Sequence, residues 1–287
     1  TSTSSPGFSL MQETFSHLAN AQLSCVVVNV QRGGPGQGTT QHAQMDYRQA
    51  TKGGGHGGYR LLVVAPSSIQ ECYTHIQLAF YLADKYWNPV IVLSDGVIGQ
   101  MSEPLVREPL DFPPVPEKWW ALKGTENKGG KHFFVSCMRG VTPDPEFPTY
   151  KAMLAHCDNK YKTMEKEELR YETIELEDAE IILVAYGYTA RVAKEALLAA
   201  RADGLRVGMV RPITLWPFPC DIIRQKAYKG AKFVVVEDSL GQLGEDVLFA
   251  VEGRSEVRLV GILDRHLPNA TGMILPHRVL EEVKKLT

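Results

Sequence analysis

The run CVVVNVQRGGPGQGTTQHAQMDY, residues 25–47, delivers one arginine, Arg32, at the end of a β-branched apolar segment. Open α/β sheets place ligands beyond the carboxyl ends of their strands. A guanidinium there is a two-pronged clamp for a carboxylate or a phosphate. The same arginine could equally pair a neighbouring surface carboxylate, and the residues alone weigh the two readings evenly. Gly33, Gly34, Gly36 and Gly38 follow it and let another backbone or a ligand approach closely. His42 and Asp46 come next, and KGGGHG puts Lys52 and His56 in a second loop of the same style. His56 has glycine on both sides and little to pack against, so it is either solvated or reaching into a site. His42, Asp46 and His56 could supply acid, base or hydrogen-bonding groups, and their spacing specifies no metal site.

Several common chemistries are disfavoured. The glycines after Arg32 do not match G-x-G-x-x-G, no helix start is evident at Gly38, and no acidic residue ends a well-placed next strand. GGKH lacks the hydroxyl residue of a Walker loop, and no G-x-S-x-G elbow occurs. The five cysteines, Cys25, Cys72, Cys137, Cys157 and Cys220, are scattered with no C-x-x-C pair, which suggests neither zinc nor iron–sulfur ligation. Sparse cysteines fit a reducing, cytoplasmic setting. A net charge of −2 gives no reason to expect nucleic acid, and no apolar run approaches a membrane span.

These residues need a scaffold, and 287 residues suffice for two ordinary domains. Cys25–Val30, Arg60–Ala65 and Pro89–Ser94 are continuous Val/Ile/Leu runs, as expected of a parallel sheet buried on both faces. Between the last two, a helix starts at Ser67 or Ser68. Glu71 is placed to complete a capping box with Ser68, and Ile69, Cys72, Ile76, Phe80 and Leu82 form most of the apolar stripe. Strand, helix, strand is a βαβ unit. A helix over about Gly7–Ala19 precedes it, capped by Ser4 or Ser5 with Pro6 in the first turn, and with Phe8, Leu10, Met11, Phe15 and Leu18 apolar. From Met101 to about Asp178 the rhythm breaks into a proline-rich surface excursion around Trp119-Trp120 and then a polar linker helix, about Thr149–Leu169. A second α/β unit follows. Its strands are AEIILVAYG, RVGMVRP, KFVVVEDS and VRLVGIL. A helix capped by Thr189 and stopped at Gly204 follows the first of them, with further helices near 219–229, 243–251 and 276–285. The expected division is residues 1–170 and 171–287.

The blocks TSTSSPGFSLMQE, VVVNVQRGGPGQG, QATKGGGHG, LVVAPSSIQECY, LADKYWNPVIVLSDGVIGQMSEP, AEIILVAYGYTAR and VRPITLWPFP resemble the alpha subunit of 2-oxoacid:ferredoxin oxidoreductases. The variant is most similar to the 2-oxoisovalerate (branched-chain) type, with the 2-oxoglutarate enzymes next. The resemblance spans nearly the whole chain and is weaker over 124–157 and near the C-terminus. It implies an α/β fold in two domains, a thiamine-diphosphate pyrimidine-binding-type parallel-sheet domain and then a transketolase C-terminal-like domain. It implies oxidative decarboxylation of a 2-oxoacid to acyl-CoA, with coenzyme A as acceptor and ferredoxin as oxidant. Thiamine diphosphate would be shared with a beta subunit that holds the diphosphate and Mg²⁺. The [4Fe–4S] clusters would sit on beta or on a small ferredoxin-like subunit, and a gamma subunit completes the expected set.

By resemblance, Arg32 holds the substrate carboxylate. Ser4, Ser5 and Gly7 face the cofactor; His56 stays a catalytic candidate on its loop position alone, not by resemblance. In the family a glutamate upstream of the TSTSSPG loop hydrogen-bonds the aminopyrimidine, and an earlier threonine-bearing loop contacts substrate. Nothing in these 287 residues matches either, so residues preceding Thr1 are expected in the natural chain. Two alternatives stand beside the branched-chain reading: a 2-oxoglutarate enzyme, for which Arg48 or Lys52 could supply a second clamp, and a non-catalytic scaffold of the same fold.

Overall fold

The computed structural model describes residues 1–118, 148–267 and 272–287. Two five-stranded sheets carry the chain. The first has the order β1 (Ser2–Thr3), β2 (Cys25–Gln31), β4 (Pro89–Asp95), β3 (Leu62–Val64), β8 (Thr214–Trp216). The first four are parallel, and β8 closes the edge antiparallel to β3. The second has the order β10 (Val257–Val260), β9 (Lys232–Val236), β6 (Ile181–Ala185), β7 (Val207–Pro212), β5 (Tyr171–Ile174), with only the pair β5–β7 antiparallel.

The buried apolar runs form strands because both of their faces are covered. Every residue of β4 and of β6 is buried. In β6 the alternation is direct: Ile182 and Val184 join the core continuous with the first sheet, while Ile181, Leu183 and Ala185 join a second core with residues of α7 (Gly187–Ala202) and α10 (Pro276–Lys284). The larger core runs through both sheets without a gap, from Val63 and Ile91 to Val184 and Phe233.

The helices depart from the sequence reading at several points. The first one is two pieces, α1 (Ser5–Leu10) and α2 (Gln12–Asn20), and Leu10 is 86% exposed because the break at Met11 turns it outward. In α4 (Ile69–Tyr86), Phe80 faces solvent and the buried stripe is His75, Ala79, Leu82, Ala83, Tyr86. Ser68 caps α4 by accepting from the Glu71 N–H, but Glu71 does not return the bond to Ser68. Its carboxylate accepts from the N–H and hydroxyl of Ser67, one residue further out. Helix α7 begins two residues before Thr189, whose hydroxyl donates back to the Tyr186 carbonyl. Gly204 ends that region at φ +81, as expected of a helix stop. α6 (Tyr150–Glu167), α8 (Cys220–Tyr228) and α9 (Gln242–Val251) match the expected helices to within two residues. Short α3 (Tyr47–Lys52) and α5 (Gly96–Gln100), and the strands β5 and β8, were not expected. Residues 101–118 are irregular and mostly exposed, and Trp119-Trp120 lie outside the described residues.

Candidate functional site

β1 pairs with β2 in register Ser2–Val28 and Thr3–Asn29, which brings Ser4 and Ser5 to the carboxyl end of β2, where both hydrogen-bond Arg32. Arg32 follows the last residue of β2, and its guanidinium is held from three sides. Nε donates to Ser4 Oγ at 3.2 Å, and Nη1 donates to the carbonyls of Gln37 and Thr39 at 2.8 and 3.0 Å. The loop carrying those carbonyls folds back because the Thr39 N–H bonds the Gly33 carbonyl at 2.9 Å. Gly38 is required at that closure: its φ is +57, and a Cβ there would sit 1.7 Å from the Gly33 oxygen. Among the described residues no carboxylate forms an ion pair with Arg32. The charge is therefore fixed by neutral acceptors and remains uncompensated at contact distance.

Arg32 lines a cleft of ≈ 550 Å³ at the carboxyl ends of β2 and β4, together with Ser4, Gln31, Gly96, Gly99 and Gln100. No lining residue is acidic, and Arg32 is the lining residue with a positive charge. Behind the wall lies Asp46, a buried carboxylate. Its Oδ2 accepts from Ser5 Oγ at 2.7 Å and from Asn29 Nδ2 at 2.9 Å, and its N–H donates to Gln31 Oε1 at 3.1 Å. Burial raises the Asp46 pKa, while the Ser5 and Asn29 hydrogen bonds and the Arg32 charge pull against that rise.

The structure brings Ser4, Ser5, Arg32 and Asp46 together and turns the side chains of His42 and His56 elsewhere. His42 turns to the second sheet, where Nδ1 lies 2.9 Å from Asp238 Oδ2. Arg265 donates to both oxygens of Asp238 and, at 2.7 Å, to the His42 carbonyl. Burial would raise the Asp238 carboxyl, but its His42 and Arg265 partners hold it below the usual range. His56 is exposed and lines a different hollow with His17, Tyr150, Cys157 and Asp158. Gly7 packs closely on Thr3, since a Cβ there would meet Thr3 Oγ1 at 2.2 Å. Arg48 and Lys52 are drawn away to α9, where they pair with Glu245 and Asp246. The Tyr47 hydroxyl also donates to Asp246, at 2.6 Å.

A seam of buried polar residues was missed from sequence. Asp95, at the end of β4, accepts from the N–H groups of Val97, Ile98 and Tyr188. Gln44 donates to the Tyr186 carbonyl at 2.9 Å and accepts from Asp238 N at the same distance. An aspartate ending a buried strand before a glycine was the available signal for Asp95. Gln44 carries none. No group of three or more His, Cys, Asp or Glu able to hold a metal occurs among the described residues, and Cys25, Cys72, Cys157 and Cys220 are all free.

A family model described as "Pyruvate flavodoxin/ferredoxin oxidoreductase, thiamine diP-bdg" matches residues 1–181, and "Pyruvate:ferredoxin oxidoreductase core domain II" matches 179–270. The chain belongs to the 2-oxoacid:ferredoxin oxidoreductase family. Within that family it is 46% identical to the ketoisovalerate oxidoreductase subunit VorB of Methanothermobacter marburgensis, over 93% of this chain and 74% of that one. It is 35% identical to the 2-oxoglutarate synthase subunit KorA of Methanocaldococcus jannaschii, over 91% of this chain and 75% of that one. The 2-oxoglutarate:ferredoxin oxidoreductase of Magnetococcus marinus, solved with 2-oxoglutarate, coenzyme A and succinyl-CoA bound, superposes with a TM-score of 0.80 at 26% identity. That match covers 99% of this chain and 52% of that one. As a member of the oxidoreductase family the chain is an enzyme subunit, and its two-sheet α/β architecture is the family's. Among the described residues no helix is long and apolar enough to cross a membrane.

Proposed function

We propose that this chain is the alpha subunit of a thiamine-diphosphate-dependent oxidoreductase that decarboxylates a branched-chain 2-oxoacid to acyl-CoA and reduces ferredoxin. The observation that carries the reading is Arg32. It stands at the carboxyl end of a buried strand, braced by Ser4 and two loop carbonyls, with no carboxylate of its own in ion-pair contact among the described residues. Every 2-oxoacid presents a carboxylate beside its ketone. A braced guanidinium can hold that carboxylate in two-pronged contact and so fix the ketone for attack. When bound, thiamine diphosphate supplies the electron sink for decarboxylation. This chain's part is to bind and orient the oxoacid and to form one wall against water. The cleft lining holds no acid, so the group that acts on the aminopyrimidine is assigned to none of the lining residues.

The substrate side chain is read from the same cleft. A second carboxylate, as in 2-oxoglutarate, needs further donors, because a charge buried without partners is costly. Arg48 and Lys52 are engaged by α9, and Val30, Gly96 and Gly99 line the wall. That favours an aliphatic tail, and the VorB relatives agree in name. We assign Mg²⁺ and [4Fe–4S] clusters to partner subunits (beta, with gamma and a small ferredoxin-like chain), in a cytoplasmic complex. We place the domain boundary at 170/171, between α6 and β5.

The test is kinetic. In the native complex with a viologen acceptor, Arg32→Ala is expected to raise the KM for 2-oxoisovalerate or to lower kcat, with kcat/KM down about a hundredfold. Wild-type kinetics in that variant would refute the clamp, and oxidation of 2-oxoglutarate in preference to 2-oxoisovalerate would refute the substrate.

A further inference from the structure

The Arg32 side chain is fixed by Ser4 and by loop carbonyls, but its backbone is fixed by something else. Ser5 Oγ accepts the Arg32 N–H at 3.2 Å. A hydroxyl has one proton, and the shortest contact of that oxygen is 2.7 Å, to Asp46 Oδ2, against 3.3 Å to the Arg32 carbonyl. The proton therefore goes to Asp46, and the lone pair stays aimed at Arg32. Asp46 is tied to the strand that carries Arg32 by two further bonds, from Asn29 Nδ2 to its carboxylate and from its own N–H to Gln31 Oε1. Asn29 and Gln31 are both fully buried. We propose that Asp46 is a positioning residue for substrate binding: through the Ser5 hydroxyl it sets the position of Arg32 at the mouth of the cleft.

The geometry asks for an acceptor oxygen with both lone pairs free at that place. Ser5 and Asn29 both point hydrogens at the same oxygen, and an ionised carboxylate accepts both without offering a competing donor. Loss of the acceptor frees the Ser5 proton to turn to the Arg32 carbonyl, which swings the Oγ lone pairs off line and weakens the bond from the Arg32 N–H. Ser5 is the first residue of α1 and Ser4 precedes it, so the same shift moves the Ser4 oxygen that braces Nε. Asp46 is not among the residues lining the cleft, and its hydrogen bonds reach Arg32 only through Ser5. A displacement on the order of an ångström at a charged clamp is enough to cost tenfold or more in turnover efficiency.

This inference rests on the reading of Arg32 as the carboxylate clamp, and the variants separate the two. Steady-state kinetics of the native complex are measured for Asp46→Ala, Asp46→Asn, Ser5→Ala, Arg32→Ala and the double variant Asp46→Ala/Arg32→Ala. The positioning role predicts a KM for the 2-oxoacid raised about tenfold in Asp46→Ala and Ser5→Ala, with kcat changed far less. Asp46→Asn recovers most of the loss, since its amide oxygen still accepts from Ser5. In the Arg32→Ala background, Asp46→Ala adds nothing further. An unchanged KM in Asp46→Ala beside a raised KM in Arg32→Ala overturns the role. So does an Asp46→Ala effect of equal size with and without Arg32, which marks general damage to the fold. If Arg32→Ala itself leaves kcat/KM unchanged, it is the clamp that has failed, and the positioning role falls with it.

Discussion

At the level of single residues, charge separates what the sequence exposed from what it hid. Arg32 was legible as a candidate but not as to use, since the residues weighed a carboxylate clamp and a surface ion pair evenly, and its partners in the fold are neutral oxygens. His42 and Asp46 were legible as polar residues near a loop but not as to direction. Residues 42 and 44 turn to the second sheet and 46 to the first, and only tertiary contacts decide that. Lys160 gave no signal at all. It lies in α6 with its Nζ buried and without a hydrogen-bond partner, 5.6 Å from the centre of the Tyr161 ring. Burial lowers its pKa to about 8. The unfolded chain thus binds more protons between about pH 8 and 10.5, and stability rises with pH across that window. Lys160→Met is expected to raise stability at pH 7 by about 1–2 kcal/mol and to remove that slope. Urea midpoints at pH 7 and 9.5 check both parts, and a methionine variant no more stable than wild type at pH 7 would count against it.

At the level of elements, periodicity located the long helices and buried strands, while hydrogen bonds reaching in from other elements could move their ends. Thr189 looked like a cap because a threonine before a run of helix formers usually is one. Helix α7 instead starts at Gly187, because Asp95 reaches over from β4 to accept the Tyr188 N–H at 3.0 Å. An acceptor from another element replaced the local one, and no window of sequence contains it. Strands β5 and β8 were missed for a related reason: at four and three residues they are too short for a pattern of their own. Gly187 has φ +60, and a Cβ there would lie 2.7 Å from both Asp95 Oδ2 and Gln44 Nε2. Gly187→Ala is therefore expected to destabilise the chain by about 2–4 kcal/mol, through backbone strain and loss of those bonds. A thermal melt within a degree of wild type would contradict this.

At the level of the whole molecule, the two halves are joined by charge as well as by core. Arg211 of β7 grips both carboxylate oxygens of Glu71 in α4, at 2.7 and 2.8 Å. Burial alone would raise Glu71, but the Arg211 guanidinium overrides it and holds the carboxyl at about 2. With the folded pKa below the ordinary 4.5, the pair's contribution is complete above about pH 4.5 and is lost as pH falls toward 2. Glu71→Gln is expected to lower stability at pH 7 by about 2 kcal/mol, since part of Glu71 remains wetted, and to flatten the melting temperature between pH 4.5 and 2. Calorimetry across that range decides it: an acid limb as steep as wild type would assign the sensitivity to other groups.

Strand β8 adds a temporal consequence. It completes the edge of the first sheet with residues 214–216, far down the chain from its neighbour β3. During synthesis, β3 leaves the ribosome with bare amides and carbonyls along one side, and its covering strand arrives only after well over a hundred further residues. A bare strand edge recruits other strands. The nascent chain therefore has an interval of seconds in which a chaperone, or the partner subunits themselves, must stand guard over that edge.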